Sequence, residues 1–378
     1  MMYRIPIAEP EIGEEELKNV MEAVKSGWVS SKGKFISEFE ERFAEYIGVK
    51  YGVATSSGTT ALHLALVALG VKKGDEVIIP TLTFAAVANA VIYTGAKPVF
   101  VDSHPDYWCI DPEKIEEKIT RKTKAIIPVH LYGHPCDMDI ILKMAGEYGL
   151  YVIEDCAEAH GAEYRGRKVG SFSDISCFSF YGNKIITTGE GGMCLTNDER
   201  LAEKMKILRD HGMKPDRKYW HEVIGFNYRM TNLQAALGVA QLEKMEKFVQ
   251  KKIEIAETYN SLLKNVDGMT LPPKMPWARN VYWLYSILVD KSSYGLDRDE
   301  LIVKLLERGI ETRRFFYPLH IMPPYRTYAH GEYSVAENLS SKGLNLPSSV
   351  KLSYEEIYEI VDLIKQLNKF TRFGDKFG

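Results

Sequence analysis

Six short apolar runs rich in β-branched residues recur through the first two-thirds of the chain: YGVATSS, DEVIIP, KPVFVD, KAIIPVHLYG, LYVIEDCA and DISCFSF. Helix-like segments stand between several of them, including GTTALHLALVALG after the first and TFAAVANAVIYTG within the second interval. Continuous apolar strands are buried on both faces, and parallel neighbours need a crossover that a helix of roughly 10 to 15 residues supplies. The pattern therefore predicts an α/β fold, a mainly parallel sheet covered by helices. Ligands of such sheets sit outside the carboxyl ends of the strands.

The texture changes at Leu233. LQAALGVAQLEKMEKFVQKKIEIAETYNSLL is apolar at three- and four-residue intervals and predicts one long amphipathic linker helix. After the proline-rich LPPKMPWARN come strand-like VYWLYSILVD, helical RDELIVKLLERG, strand-like IETRRFF and a terminal helix SYEEIYEIVDLIKQLNKF. A single core stops growing beyond roughly 250 to 300 residues, and this chain has 378. We expect a large domain over 1–245, with its N-terminal segment, and a smaller C-terminal α/β domain over 246–378 that begins in the linker helix.

Charge is nearly balanced, 48 basic against 51 acidic residues, so no general field draws the chain to nucleic acid or anionic lipid. The N-terminal MMYRIPIAEPEIGEEEL lacks the basic stretch and apolar run of a secretory signal, and no run approaches the ~20 apolar residues of a membrane span. Five cysteines without a C-x-x-C pair argue against a disulfide framework or structural zinc, and a cytoplasmic setting is expected. His130 and His134 have the spacing of a metal pair, but VHLYGHPC cannot be a regular helix, so no metal is expected. SSKGKF is not a P-loop, and GEGGMCL lacks the third glycine and the context of a dinucleotide fingerprint.

Three strand ends carry candidate chemistry. In ATSSGTTALHLA, residues 56–60 stand between a strand and a helix start, where free N–H groups bind anions and Gly58 lets a phosphate approach; serine and threonine are equally common as plain caps. LYVIEDCAEAHG ends a strand with Glu154, Asp155 and Glu158, either as caps or as partners of a buried cation. In SFYGNKIITTGEGG, Lys184 lies one strand beyond Asp155, so both can reach one crevice. A partly desolvated lysine amine is nucleophilic near neutrality and can form a Schiff base. Phosphate cradle, carboxylate and imine-forming lysine, in this order, are what a pyridoxal phosphate site requires.

The succession SSGTTALHLAL, PTLTFAAVANA, IEDCAEAHGA, SFYGNKIITTGEGGM and GFNYRMTNLQAALGVAQLE resembles the DegT/DnrJ/EryC1/StrS family of sugar aminotransferases, over nearly the whole chain from Ile5 to Phe370. The resemblance implies the aspartate-aminotransferase fold, with Lys184 as the lysine bonded to pyridoxal 5'-phosphate and pyridoxamine phosphate as the form between two half reactions. It makes Asp155 the partner of the pyridine nitrogen and Phe84 the ring stacked on the cofactor. Ser57, Gly58, Thr59 and Ser179 become phosphate contacts. Asn227 would reach the phosphate in the neighbouring subunit, which implies a homodimer with shared active sites. Glu158 stands beside the ring where many members carry glutamine, and an ionised carboxylate cannot donate to the ring hydroxyl. Relatives that dehydrate the sugar carry histidine in place of the lysine; retention of Lys184 favours transamination.

HPDYWCIDP, IIPVHLYGHPCDMD, RDHGMKPDRKYWHEVIGFNYRMTN and GIETRRFFYPLHIMPPY further resemble the branch that forms GDP-perosamine by aminating C4 of GDP-4-keto-6-deoxymannose with L-glutamate. A nucleotide diphosphate sugar needs cations, and Arg229, Arg313, Lys214 and Arg217 lie in loops flanking the expected crevice. Tyr317 and His320 are candidate sugar or nucleotide contacts, or else packing residues.

Overall fold

The computed structural model describes residues 3–368. Two helices, α1 (Glu14–Lys25) and α2 (Lys34–Ile47), lead into β1 (Tyr51–Thr55), α3 (Gly58–Ala68), β2 (Glu76–Pro80), α4 (Ala86–Tyr93), β3 (Lys97–Val101), β4 (Thr123–Ile126), α5 (Met138–Tyr148) and β5 (Tyr151–Asp155). A hairpin of β6 (Glu163–Tyr164) and β7 (Arg167–Lys168) precedes β8 (Ile175–Ser179), β9 (Gly192–Thr196), α6 (Glu199–Arg209), α7 (Asn232–Glu243) and α8 (Met245–Leu263). Then follow β10 (Met269–Thr270), β11 (Ala278–Arg279), β12 (Tyr285–Val289), α9 (Lys291–Tyr294), α10 (Arg298–Leu306), β13 (Arg313–Arg314), α11 (Ser334–Lys342), β14 (Gly343–Leu346) and α12 (Tyr354–Leu367).

The large sheet has the order β1-β9-β8-β5-β4-β2-β3. All six apolar runs are strands in it. β2, β3, β4, β5 and β8 pair in parallel, whereas β9 is antiparallel to both of its neighbours. The strand GMCLT was not anticipated; it enters the sheet through Gly192, where an added Cβ would sit 2.3 Å from the Ser57 carbonyl oxygen. Because β1 and β8 run the same way as β5, the residues following β1, β2, β4, β5 and β8 all emerge along one edge.

The predicted linker helix is broken at Lys244, which ends α7 and starts α8. Its ammonium pairs with buried Glu16 at 2.8 Å, pinning the break to α1. α7 packs into the first core, and Gly238 is required there because a Cβ would meet the Phe39 ring at 2.7 Å. α8 serves both cores: Phe248 and Val249 join the first, while Ile255, Ala256, Tyr259 and Leu263 join a second built on β12, β14, α10 and α12. The chain then returns to the first core with Phe315, Leu319, Tyr333 and Leu339. The predicted terminal helix is α12; its last two expected residues lie outside the described ones.

Candidate active site

The turn after β1 is built by a reciprocal cap. Ser57 Oγ accepts from the Thr60 N–H at 3.2 Å, and Thr60 Oγ1 accepts from the Ser57 N–H at 3.0 Å. That leaves the N–H groups of Gly58 and Thr59 at the positive end of α3 without an acceptor among the described residues. Ser179, the last residue of β8, closes the other side: a Cβ on Gly58 would lie 2.8 Å from its Cβ. The result is an anion cradle with free backbone donors and a serine hydroxyl, and it fits the phosphate of pyridoxal phosphate.

Asp155 and Glu154 are adjacent on β5 and so face opposite sides of the sheet. Glu154 is consumed structurally, accepting from the backbone N–H groups of Gly170, Phe172 and Ser173 and from Ser173 Oγ. Asp155 faces the cleft. Its Oδ1 accepts from the Ala157 N–H at 3.0 Å, and Oδ2 has no hydrogen-bond donor among the described residues. Burial raises its pKa, opposed by that N–H bond and by the Lys184 charge; a protonated ring nitrogen would supply the cation this carboxylate favours.

Lys184 is presented by the β8–β9 connection. Thr187 Oγ1 donates to the Phe180 carbonyl at 2.9 Å, the Thr188 N–H donates to the same carbonyl at 2.9 Å, and Ile185 and Ile186 are buried. A loop anchored on both sides of the amine aims it inward. Its Nζ lies 3.9 Å from Glu158 Oε1 and 3.8 Å from the centroid of the Trp283 ring. Burial lowers the Lys184 pKa, against the raising effects of Glu158 and Asp155. Glu158 in turn accepts from the Tyr132 N–H at 2.8 Å, and burial raises its pKa above the carboxylate range. Burial thus moves both members of the pair toward neutrality, the direction that makes an amine nucleophilic and lets a carboxyl donate a hydrogen bond.

These groups line one cleft of about 490 Å³, together with Ser57, Thr59 and Phe84. Its far wall comes from sequence-distant segments. Trp283 precedes β12, Arg313 and Arg314 form β13, and Phe316 and Asn345 follow from the C-terminal part. Tyr132 stacks on Phe316 at 5.4 Å, and Phe316 contacts Phe84 at 5.8 Å, so the wall is largely aromatic. Trp283, Tyr132, Phe316, Arg314 and Asn345 were not singled out from the sequence. Nothing in their local patterns distinguishes them from core or surface residues.

Other candidates lie outside the cleft. Asn227 and Arg229 sit beside the cradle, since the Ser56 N–H donates to the Tyr228 carbonyl at 2.8 Å, yet the Arg229 guanidinium is committed to Asp210 and to Asn227 Oδ1. Lys214 pairs with Glu222 at 3.1 Å, and Arg217 lies over Trp220. Tyr317 is half exposed and neighbours Arg314. His320 is buried between Thr81 Oγ1 at 2.8 Å and Glu337 at 3.0 Å, a bridge from the end of β2 to α11. His130, Glu154 and Cys156 cluster tightly enough for a metal, but His130 Nδ1 accepts from the Cys136 N–H, Glu154 is saturated with donors, and burial raises the Cys156 thiol well above its ordinary pKa. His134 Nδ1 lies 2.7 Å from the Pro135 carbonyl.

The sequence profile of the DegT/DnrJ/EryC1/StrS aminotransferase family matches residues 10–365. The chain is 48% identical over 365 residues to a GDP-perosamine synthase of Caulobacter vibrioides, covering 96% of this chain and 98% of that one. It is 48% identical over 366 residues to a GDP-perosamine synthase of Escherichia coli O157:H7, covering 97% and 99%. Among solved structures, S. venezuelae DesV in complex with a ketimine intermediate superposes with a TM-score of 0.89 at 36% identity, covering 94% of each chain. The helix-covered, mainly parallel sheet with a cleft along its carboxyl edge is thus the pyridoxal phosphate-dependent aminotransferase fold, and this chain belongs to the DegT/DnrJ/EryC1/StrS aminotransferase family.

Proposed function

We propose that the chain transfers the amino group of L-glutamate to the 4-keto group of GDP-4-keto-6-deoxy-D-mannose, giving GDP-perosamine. The observation that carries the aminotransferase chemistry is that the cradle at Gly58, the Asp155 carboxylate and the Lys184 amine face one cleft. The sugar and nucleotide rest on the 48% identity to the perosamine synthases over nearly the whole of both chains. The cofactor, when bound, supplies an aldehyde that carries the amine and a ring that accepts the electron pair left by a departing proton.

The chain's own residues do the rest. The N–H groups of Gly58 and Thr59, with the Ser57 and Ser179 hydroxyls, would hold the phosphate at the α3 terminus. Asp155 Oδ2 would keep the ring nitrogen protonated, and Phe84 and the Tyr132–Phe316 wall would exclude water from the faces of the bound ligand. Lys184 Nζ, once displaced by the incoming amine, would both take and give a proton within each half reaction, from the reacting carbon of glutamate to the cofactor in the first and from the cofactor to C4 of the sugar in the second. One swinging base therefore serves glutamate and sugar alike. Arg313 and Arg314 stand on the cleft wall, paired with Glu311 at 3.4 Å and Asp299 at 2.8 Å, and a diphosphate would compete with those carboxylates for them. Asn227 lies beside the cradle without lining this chain's own cleft, and with its Oδ1 held by Arg229 its amide NH2 would be the group offered to a second subunit, in keeping with a homodimer that shares its sites.

The purified protein, supplied with glutamate, is to be assayed against GDP-, dTDP- and UDP-linked 4-keto-6-deoxy sugars, with 2-oxoglutarate release and the amino sugar as readouts. The GDP-linked sugar should give the highest kcat/KM by at least about tenfold, roughly 1.4 kcal/mol of discrimination. A faster reaction with a dTDP or UDP sugar refutes the assigned nucleotide.

A further inference from the structure

We propose that Trp283 is a positioning residue, whose indole face seats the Lys184 amine in the cleft and favours its protonated over its neutral form. This deepens the functional reading and rests on Lys184 being the cofactor lysine. No hydrogen bond to Lys184 Nζ exists among the described residues. The indole ring lies 3.8 Å from it to the centroid and Glu158 Oε1 at 3.9 Å, Asp155 and Arg313 contribute charge from β5 and β13, and buried His160, its pKa lowered to about 3 by burial, also feels the Lys184 charge. A cation within about 6 Å of an aromatic centroid is attracted by the ring's negative face, and the attraction grows when water is excluded. The Lys184 side chain is only 11% exposed and Trp283 only 4%.

Trp283 is itself fixed from three directions, two at its ring and one at its backbone. Its Nε1–H donates to the Asn183 carbonyl at 2.8 Å, so the indole is tied to the residue immediately before the lysine. Its own carbonyl accepts from Lys252 Nζ at 2.8 Å, anchoring it to α8. Its face lies nearly parallel to Tyr132, at 19° and 6.2 Å, and the Tyr132 N–H holds Glu158. One connected set therefore places both immediate neighbours of the amine.

The test compares Trp283→Phe with Trp283→Leu, which leave similar volumes but differ in having a π face. Competitive acetylation of the cofactor-stripped, full-length protein across pH, read by peptide mass mapping, reports the proton affinity of Lys184 without turnover. The Leu variant should titrate lower than the Phe variant by roughly half to one pH unit, the span of an exposed to partly desolvated cation–π contact. Phe should restore most of the wild-type midpoint. Equal midpoints for Phe and Leu, or a higher one for Leu, overturn the proposal. A separate borohydride reduction of the cofactor-loaded wild type tests the reading beneath it: the tag should map to Lys184, and a tag on a different lysine overturns that reading whatever the Trp283 variants show.

Discussion

Lys252→Met should make the protein more stable near neutral pH and less stable in alkali, a reversal that follows from one buried ammonium. Lys252 is 4% exposed, and among the described residues its ammonium has one hydrogen bond, to the Trp283 carbonyl at 2.8 Å, and no ion-pair partner. Burial lowers its pKa from 10.5 to about 7. At about 1.4 kcal/mol per pH unit, holding the charged form in the fold costs on the order of 5 kcal/mol relative to the unfolded chain. The sign follows from proton counts. Between about pH 7 and 10.5 the unfolded chain binds the proton and the native one does not, so stability rises with pH across that window, and the penalty is greatest below it. Methionine fills similar space without charge but strands the carbonyl, at about 1–3 kcal/mol. The variant should therefore gain roughly 1–3 kcal/mol near pH 7 and lose about 1 kcal/mol or more near pH 10. Urea denaturation of both proteins at matched cofactor loading, at intervals across that range, measures the difference. A difference that stays constant with pH refutes the reasoning, because it would mean that Lys252 does not titrate on folding.

Lys184→Ala should abolish both the absorbance of bound cofactor imine and turnover, and undiminished activity would remove the lysine's role. Asp155→Asn should leave the fold intact and lower kcat by at least about a hundredfold, the scale for losing one preorganised charge interaction; near-normal rates would refute the ring-nitrogen pairing. Gly58→Ala drives a Cβ to within 2.8 Å of the Ser179 Cβ; at about 1–3 kcal/mol of overpacking, cofactor affinity measured by equilibrium dialysis should fall roughly tenfold or more. Co-refolding Lys184→Ala with Asn227→Ala subunits should restore activity that neither has alone if sites are shared, since a mixed dimer rebuilds one complete site, and no recovery in verified mixed dimers would argue against sharing.

What was legible in the sequence was whatever depends on local pattern. The six apolar runs are strands because a strand buried on both faces must be apolar throughout, and Ser57, Asp155, Ser179 and Lys184 share an edge because parallel strands deliver their carboxyl ends together. β9 was missed because GMCLT is five residues behind a glycine run, and its place between β1 and β8 is set by a non-local antiparallel return. The break at Lys244 was invisible for a related reason: the apolar periodicity continues through it, and only the tie from Lys244 to Glu16 on a distant helix marks the spot. Direction defeated other readings. Residue type cannot tell that Arg229 turns to Asp210, or that His320 bridges Thr81 and Glu337 instead of facing the cleft.

Lys184 and Lys252 show how one physical cost serves two ends around a single tryptophan, one amine against its ring and the other on its backbone carbonyl. Each amine is buried and each has its pKa lowered first by desolvation. For Lys252 no charge opposes that term, so its amine nears neutrality and acts as a fixed donor to a backbone carbonyl. For Lys184 the carboxylates of Glu158 and Asp155 pull in the other direction, and the ring of Trp283 lies against the amine itself. In the role proposed for it, alternating between covalent carrier and proton carrier, Lys184 has to reach both protonation states at little cost. Burial that lowers the pKa, opposed by the carboxylates that raise it, serves that requirement, where desolvation alone would favour the neutral amine and a close ion pair the charged one.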